Sequence, residues 1–233
     1  MNLTDQLFSS YRGNPARPLI THYDDATGAR VELSVATLRN WAAKTANWLT
    51  EDLDVEPGDP VAVLLPAHWQ TVGVLLGAWW CGAEVVGQPA GATVAFVGPG
   101  AEAPGARAVA AVSLDPMGRD LGGSTPTLLD YIGEARVHGD DYLALNQIPG
   151  DTPCLAGATV DEVLATARKN AEPLAVDSSS RVLSTLDWTV PDGILNGVLV
   201  PLAAGASLVQ VSNPDPAKLA QHNATERATH VLQ

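Results

Sequence analysis

Cysteine is scarce in this chain: of 233 residues only Cys81 and Cys154 carry a thiol, far apart and at no pairing distance in sequence. That excludes a disulfide framework and suits a reducing cytoplasm. Cys81 ends an apolar helix face and reads as a buried hydrophobe. Basic residues are also few, 13 against 26 acidic ones, for a formal charge of −13. Such a surface repels phosphate backbones and anionic membranes, so neither nucleic acid nor membrane is an expected partner. Long apolar runs are missing, and Val72–Ala83, the longest, is too short to cross a hydrocarbon layer of ~30 Å. The opening MNLTDQLFSSYRG lacks the basic start and apolar core of a signal peptide. There is no G-x-S-x-G elbow and no H-E-x-x-H. His22, His68, His138, His222 and His230 are scattered over different expected elements.

What is present is enough apolar residue, 46%, for a sizeable core, in one domain or in two lobes sharing a core. The chain is organised around a cassette, Val55 to Pro89: VEPGDPVAVLLPAHWQTVGVLLGAWWCGAEVVGQP. The turn Pro57-Gly58-Asp59 precedes Val61–Leu65, a run short enough for a buried strand. Pro66 ends it. Val72, Leu75, Leu76 and Trp79 then recur at helical spacing, which predicts an amphipathic helix. Gly82 follows, where a left-handed cap suits glycine, and Ala83–Val86 resumes the sheet. Strand, helix, glycine, strand is a βαβ unit, which requires a parallel sheet with covered faces.

The cassette recurs in Leu174 to Val211, LAVDSSSRVLSTLDWTVPDGILNGVLVPLAAGASLVQV. Val55 aligns with Val176, Val61 with Val182, and Gly82-Ala83 with Gly205-Ala206. A helix-like segment precedes each copy. One opens at Ser34 with Leu38, Trp41, Ala42, Thr45, Trp48 and Leu49 on one face. The other opens at Thr159-Val160-Asp161-Glu162, a capping-box pattern. Element types recurring in one order predict a duplication, with a first lobe of about 1–145 and a second of about 146–233.

Leu38, Ala42/Ala43, Leu49, Val55, Pro57-Gly58-Asp59, Val61, Leu64-Leu65, Gly82-Ala83, Val85-Val86 and Pro89 follow a known pattern. They resemble the N-terminal region of adenylate-forming, or AMP-binding, enzymes: acyl-CoA synthetases, peptide-synthetase adenylation domains and luciferases. Arg181-Val182-Leu183-Ser184, Leu202 to Ala206 and Thr229-His230-Val231 resemble later stretches of the same enzymes. The resemblance covers most of the chain but only about the first half of such an enzyme's large domain, and its positions are scaffold, not catalytic. It implies an α/β fold of parallel sheets flanked by helices, two pseudo-repeated βαβ lobes in a single truncated domain, residues 1–233.

The remaining segments read as follows. Asn2–Ser10 is a short helix, and Leu19–Tyr23 with Ala29–Leu33 a hairpin around a solvated Asp24-Asp25 turn. Thr93–Val97 and Ala108–Val112 are strands. Gly98-Pro99-Gly100-Ala101-Glu102-Ala103 is formally G-x-G-x-x-A, but Pro104 and Gly105 interrupt the helix that a dinucleotide loop needs, so it punctuates a strand. Thr125-Pro126 opens a helix with Leu128, Leu129 and Ile132 inward. Leu143–Leu145 is a strand, Asn146–Ala158 a loop, and Ala217–Arg227 a last helix after Asn213-Pro214-Asp215-Pro216. His68, at the end of a parallel strand, is the one histidine placed where α/β ligand sites form, with a surface position as the plainer reading. Ser178-Ser179-Ser180 is a turn.

Adenylation of a carboxylate needs a loop of N–H groups and a lysine around the triphosphate, acidic residues for ribose and magnesium, and a lysine near the α-phosphate. The resemblance puts the first, a Ser/Thr/Gly-rich loop ending in Lys-Gly, at Asn146–Ala158. There the sequence has two glycines, no lysine, and an aspartate that opposes phosphate. Any ATP or AMP contact is implied, by position, at Gly150, Asp151, Thr152 and Gly157, where a helix N-terminus attracts anions. Trp188 stands where those enzymes carry an aromatic residue or histidine, as core packing or as a pocket wall. No catalytic residue and no metal ligand is assigned. The expected protein is a catalytically degenerate, cytoplasmic relative of the AMP-binding enzymes that binds an adenylate-like ligand or a protein partner. The alternatives are an ATP-dependent acyl- or aminoacyl-adenylating ligase acting with a partner chain, and an interaction module without a small ligand. A sheet edge at Thr229–Gln233 points to self-association or a partner chain.

Overall fold

A computed structural model describes residues 1–144 and 147–233. Helix α1 (Leu3–Ser9) is capped by Asn2, whose side chain accepts from the Asp5 N–H. The hairpin β1 (Pro18–Asp24) and β2 (Ala29–Ser34) leads to α2 (Val35–Glu51), capped by Ser34. The first cassette forms β3 (Pro60–Leu64), α3 (Trp69–Trp80) and β4 (Glu84–Val86). Then come β5 (Val94–Val97), β6 (Ala108–Ala111), β7 (Leu129–Asp130) and α4 (Tyr131–Ala135). A second hairpin, β8 (Pro153–Leu155) and β9 (Ala158–Thr159), precedes α5 (Val160–Ala171) and β10 (Arg181–Ser184). The second cassette's helix is interrupted: α6 (Asp192–Ile194), a π-helical turn at Leu195–Leu199, and α7 (Val200–Ala203). The described chain closes with β11 (Ser207–Ser212), α8 (Pro216–Glu226) and β12 (His230–Leu232).

The strands form a seven-stranded sheet, β7-β6-β5-β3-β4-β8-β9, and a five-stranded sheet, β12-β10-β11-β1-β2. Each is parallel except at one hairpin, β8–β9 in the larger and β1–β2 in the smaller. This is the α/β fold of parallel sheets flanked by helices that the sequence implies. Both cassettes are present in the expected order, each with its glycine left-handed, Gly82 at φ +87° and Gly205 at φ +79°. The strands of each copy lie side by side in a sheet of their own. The sheets do not divide the chain at 145/146, however, because the hairpins are exchanged: β1–β2 joins the sheet of the second cassette, and β8–β9 that of the first. The pair β10–β11 alone would leave two bare edges. Strand β1 covers one of them and β12 the other.

Helix α3 is not amphipathic in its surroundings: every residue from Trp69 to Trp80 is buried. It lies against α1, α2, β1 and β4, and a helix enclosed in this way must be apolar all round. Gly77 sets its distance from α2, since a Cβ there would sit 2.4 Å from Thr45 Cβ. Trp48, Phe96 and Tyr131 pack together beside this seam, and the Tyr131 hydroxyl meets Thr45 Oγ1 at 2.7 Å.

Several local expectations give way. Thr125–Pro126 opens no helix; the Thr125 N–H donates to Leu128 O at 2.8 Å and closes a turn. Helix α4 starts later because Asp130 caps it, while its buried carboxylate also accepts from the Leu121 and Gly123 N–H groups at 2.7 and 3.1 Å. Leu143 and Ala144 lie in no strand. Leu145, the last residue of that expected strand, and Asn146, the first of the expected loop, lie outside the described residues. The rest of the loop contains the β8–β9 hairpin, closed by Ala156 and Gly157 at φ +46° and +87°. Two positive φ angles in a two-residue turn match the right-handed twist of the strands. Asp25, expected in a solvated turn, is buried: it accepts from the Asp215 N–H at 2.9 Å and meets the His222 ring at 2.8 Å. It thereby fastens the start of α8 to the β1–β2 turn.

Candidate functional site

The carboxyl ends of parallel strands from both sheets open on one cleft. The register of the five-stranded sheet sets Ile20, Leu208 and Val182 in an apolar row. Two residues on, where side chains return to the same face, the row is polar: His22, Gln210 and Ser184, all buried. Asp24 and Ser212 pair one step further. Pro66, Ala67 and His68, after β3, form the facing wall, with Leu114 and Pro116 beyond β6. These groups enclose a cavity of about 230 Å³. Crevices outside the carboxyl ends of strands are where open α/β sheets bind ligands.

His68 is no surface residue. It caps α3, its Nδ1 accepting from the Gln70 N–H at 3.2 Å, and it stands edge-on to His22 with ring centroids 4.5 Å apart. His22 Nε2 lies 2.9 Å from Ser212 Oγ, and the Ser212 hydroxyl donates to Ala67 O. A hydroxyl has one hydrogen, so Ser212 accepts from His22 and His22 carries its proton on Nε2. By the same accounting neutral His68, whose Nδ1 is an acceptor, is protonated on Nε2. Burial pushes both imidazoles down, His22 to about 4 and His68 to about 3, so both rings are neutral at pH 7. Ser212 and His22 are not a nucleophile and its base, because the hydrogen a base would take is already given to Ala67 O.

Among the described residues, two buried polar atoms at this end of the molecule have no partner. Gln210 Nε2 donates to Leu186 O and Val211 O at 3.1 and 3.4 Å, which fixes the amide and leaves Oε1 unmatched. Trp188 Nε1 is unmatched too; it packs on the π-helical turn, where a Cβ on Gly197 would lie 2.8 Å away.

Of the residues singled out in sequence, Gly150, Asp151 and Thr152 precede β8 at the open end of the β8–β9 hairpin and Gly157 lies in its turn, at an edge of the seven-stranded sheet. The Gly157 N–H donates to the Glu84 carboxylate at 2.6 Å. The Asp161 carboxylate packs so tightly on Gly150 that a Cβ there would lie 2.2 Å from Oδ2. Trp188 follows β10 in the other sheet, beside Val63–Pro66 and Gly87. His22, Gln210 and Ser212 were passed over in sequence. Their signal is faint: one histidine and one glutamine inside the otherwise apolar strands LITHY and SLVQV.

No family model matches the chain. A protein of Mycobacterium tuberculosis strain H37Rv, described as a TIGR03089 family protein, is 46% identical over 230 residues, which is 95% of this chain and 93% of that protein. The chain belongs to the TIGR03089 family. Among solved structures, an acyl-CoA synthetase from Brucella canis matches 99% of this TIGR03089 chain with a TM-score of 0.81 at 18% identity. An anthranilate CoA ligase in complex with anthranoyl-AMP and a benzoate CoA ligase from Burkholderia xenovorans LB400 match the same share, with TM-scores of 0.76 and 0.75, each at 16% identity. The chain spans 47%, 49% and 50% of these three structures. It has the fold of the N-terminal domain of adenylate-forming ligases.

The chemistry open to this TIGR03089 family member follows from its lining. Among the described residues the cleft is lined by two neutral imidazoles and the Gln210 side chain, with Asp24 and Asp187 on its walls and no lysine or arginine. It can recognise by hydrogen bonding, but it has no fixed positive charge to set against a polyphosphate. Among the described residues no group of three or more His, Cys, Asp or Glu is placed to hold a metal ion. No helix among them is long and apolar enough to cross a membrane.

Proposed function

We propose that this protein is a non-activating relative of the adenylate-forming ligases. It binds a small adenylate-like ligand in the cleft between the sheets and does not itself join ATP to a carboxylate. The β8–β9 hairpin carries this reading. Triphosphate binding requires converging N–H groups and a cation. At the place of the expected phosphate loop the chain makes a two-residue turn, Ala156-Gly157, whose glycine N–H is taken by Glu84. Asp151 precedes β8, the Asp161 carboxylate packs on Gly150, and residues 150–157 include no lysine or arginine. Ligand binding is supported by the cavity and by the unmatched Gln210 Oε1 beside it, which a merely structural interface between sheets would be expected to satisfy internally.

Calorimetric titration with Mg-ATP, AMP and a non-hydrolysable acyl-adenylate analogue, alongside an ATP–pyrophosphate exchange assay, tests the reading. AMP or the analogue binds at micromolar concentration, Mg-ATP no more tightly, and no carboxylate stimulates exchange. Carboxylate-dependent exchange by the purified protein overturns it. Silence of all three compounds at millimolar concentration overturns it as well and leaves an interaction module.

A further inference from the structure

We propose that His138 is a pH-sensitive clasp, fastening the segment after α4 to the C-terminal end of α2 when its ring is charged. The inference is independent of what occupies the cleft. Residues 136–141 lie alongside the second half of α2, and polar side chains of that helix take their carbonyls. Lys44 Nζ donates to Arg136 O at 3.1 Å and to His138 O at 2.6 Å. Asn47 Nδ2 donates to Gly139 O at 3.1 Å and to Asp141 O at 3.0 Å. At the end of the helix the attachment changes in kind. The His138 side chain, 9% exposed, sits between two carboxylates: Nδ1 is 3.0 Å from Glu51 Oε2 and Nε2 is 3.1 Å from Asp52 Oδ2. Residues 44, 47 and 51 share one face of α2 by helical spacing.

Ionised carboxylates only accept, so both contacts are hydrogen bonds only when both ring nitrogens carry hydrogen. A neutral ring keeps one of them and turns a lone pair on the other carboxylate. The place also calls for a cation. Helix α2 ends at Glu51 and is capped by Asp52, two negative charges where unpaired carbonyls already leave partial negative charge, and its last turn has no basic residue of its own. The charged His138 ring supplies what that end lacks. Lys44 and Arg136 oppose the ring's charge, but each has a carboxylate of its own, Asp140 and Asp120, both at 2.9 Å. Asp141 adds a further negative charge to the segment. Imidazole changes charge between pH 5 and 8, so the ring is held by two bonds on the acid side of that range and by one on the alkaline side. The bonds from Lys44 and Asn47 do not depend on the ring's proton and persist at both. Glu51 and Asp52 are 63% and 49% exposed, which limits the second bond to about threefold in an equilibrium constant.

The test uses the full-length protein, labelled with ¹³C and ¹⁵N and followed by NMR from about pH 6 to about pH 8.5. The His138 ring goes from two N–H groups to one, and the side-chain carboxyl carbons of both Glu51 and Asp52 shift with the same midpoint as the ring. Urea unfolding at the two ends of the range then measures what the second bond contributes. His138→Phe keeps a ring and removes both hydrogens, and its cost in the folding equilibrium is about threefold greater at the acid end than at the alkaline end. In a Glu51→Gln/Asp52→Asn background that difference disappears. A carboxyl carbon of either residue that does not follow the ring overturns the proposal. So does a cost of His138→Phe that is the same at both ends, which is the mark of packing alone, or a pH-dependent cost that survives removal of the two carboxylates. The carboxyl signals of the wild-type protein decide the matter even where a variant fails to fold.

Discussion

His22 and His68 are neutral because burial strips water from both rings, while the carboxylates facing them, Asp24 for both and Asp115 for His68, offset only part of that cost. Their folded-state pKa values, about 4 and about 3, lie below the ordinary 6.5. Protons therefore favour the unfolded chain. This contribution to stability is intact above pH 6.5 and declines as pH falls towards 4 and then 3, with a limiting slope of two protons, or roughly 2.7 kcal/mol per pH unit. Urea unfolding followed from neutral pH to about pH 5 should show the decline, and His22→Phe/His68→Phe should flatten it. Glu226 acts in a lower window. Burial alone would raise its pKa, but hydrogen bonds from Arg30 at 2.9 Å and from Tyr23 and Arg181 at 2.5 Å outweigh it and hold the carboxyl at about 2. Its contribution is complete above 4.5 and is lost as pH falls through about 2. Glu226→Gln leaves both guanidinium groups less well matched. Because Arg30 is 42% exposed, the expected cost is discounted to roughly 1–3 kcal/mol, read as a drop in thermal midpoint.

The seam between α2 and α3 leaves no room for a methyl group. Gly77→Ala would gain about 1 kcal/mol of helix propensity but would press a Cβ against Thr45 Cβ at 2.4 Å and Ala42 O at 3.0 Å. Overpacking of this kind costs roughly 1–3 kcal/mol, so the net change in urea midpoint should be destabilising. Helix α5 is the opposite case, with a cap readable in advance. Thr159 Oγ1 accepts from the Glu162 N–H at 3.3 Å and Glu162 accepts from the Thr159 N–H at 2.9 Å, so Thr159→Ala should cost about 1 kcal/mol. Caps of this sort, like Ser34 before α2, act over a few neighbouring residues and leave a trace in sequence. The β8–β9 hairpin left none, because its turn has alanine where asparagine or aspartate would have signalled positive φ. Helix α4 was misplaced because Asp130 serves the loop before it as much as the helix after it.

The two hairpins are exchanged between the halves of the chain, so each sheet draws strands from both. A fragment of residues 1–145 would contain β1–β2 without β11, and the seven-stranded sheet without β8–β9. Expressed alone, it should lack a cooperative unfolding transition. The whole chain should unfold in one step, with circular dichroism and tryptophan fluorescence transitions coinciding. A folded, cooperative fragment would contradict this account of the sheets.

The sequence by itself determined the βαβ cassettes, their order, their glycine caps and the α/β class, since each depends on residues a few positions apart. Only the tertiary structure decided which sheet each hairpin joins, because the pairing of β1 with β11 links nearly the two ends of the chain and no local period records it. It likewise decided the cleft. His22, His68, Gln210 and Ser212 become a site only when two sheets bring four separate segments together, and burial, which sets the protonation of the two rings, is a property of that assembly rather than of any segment.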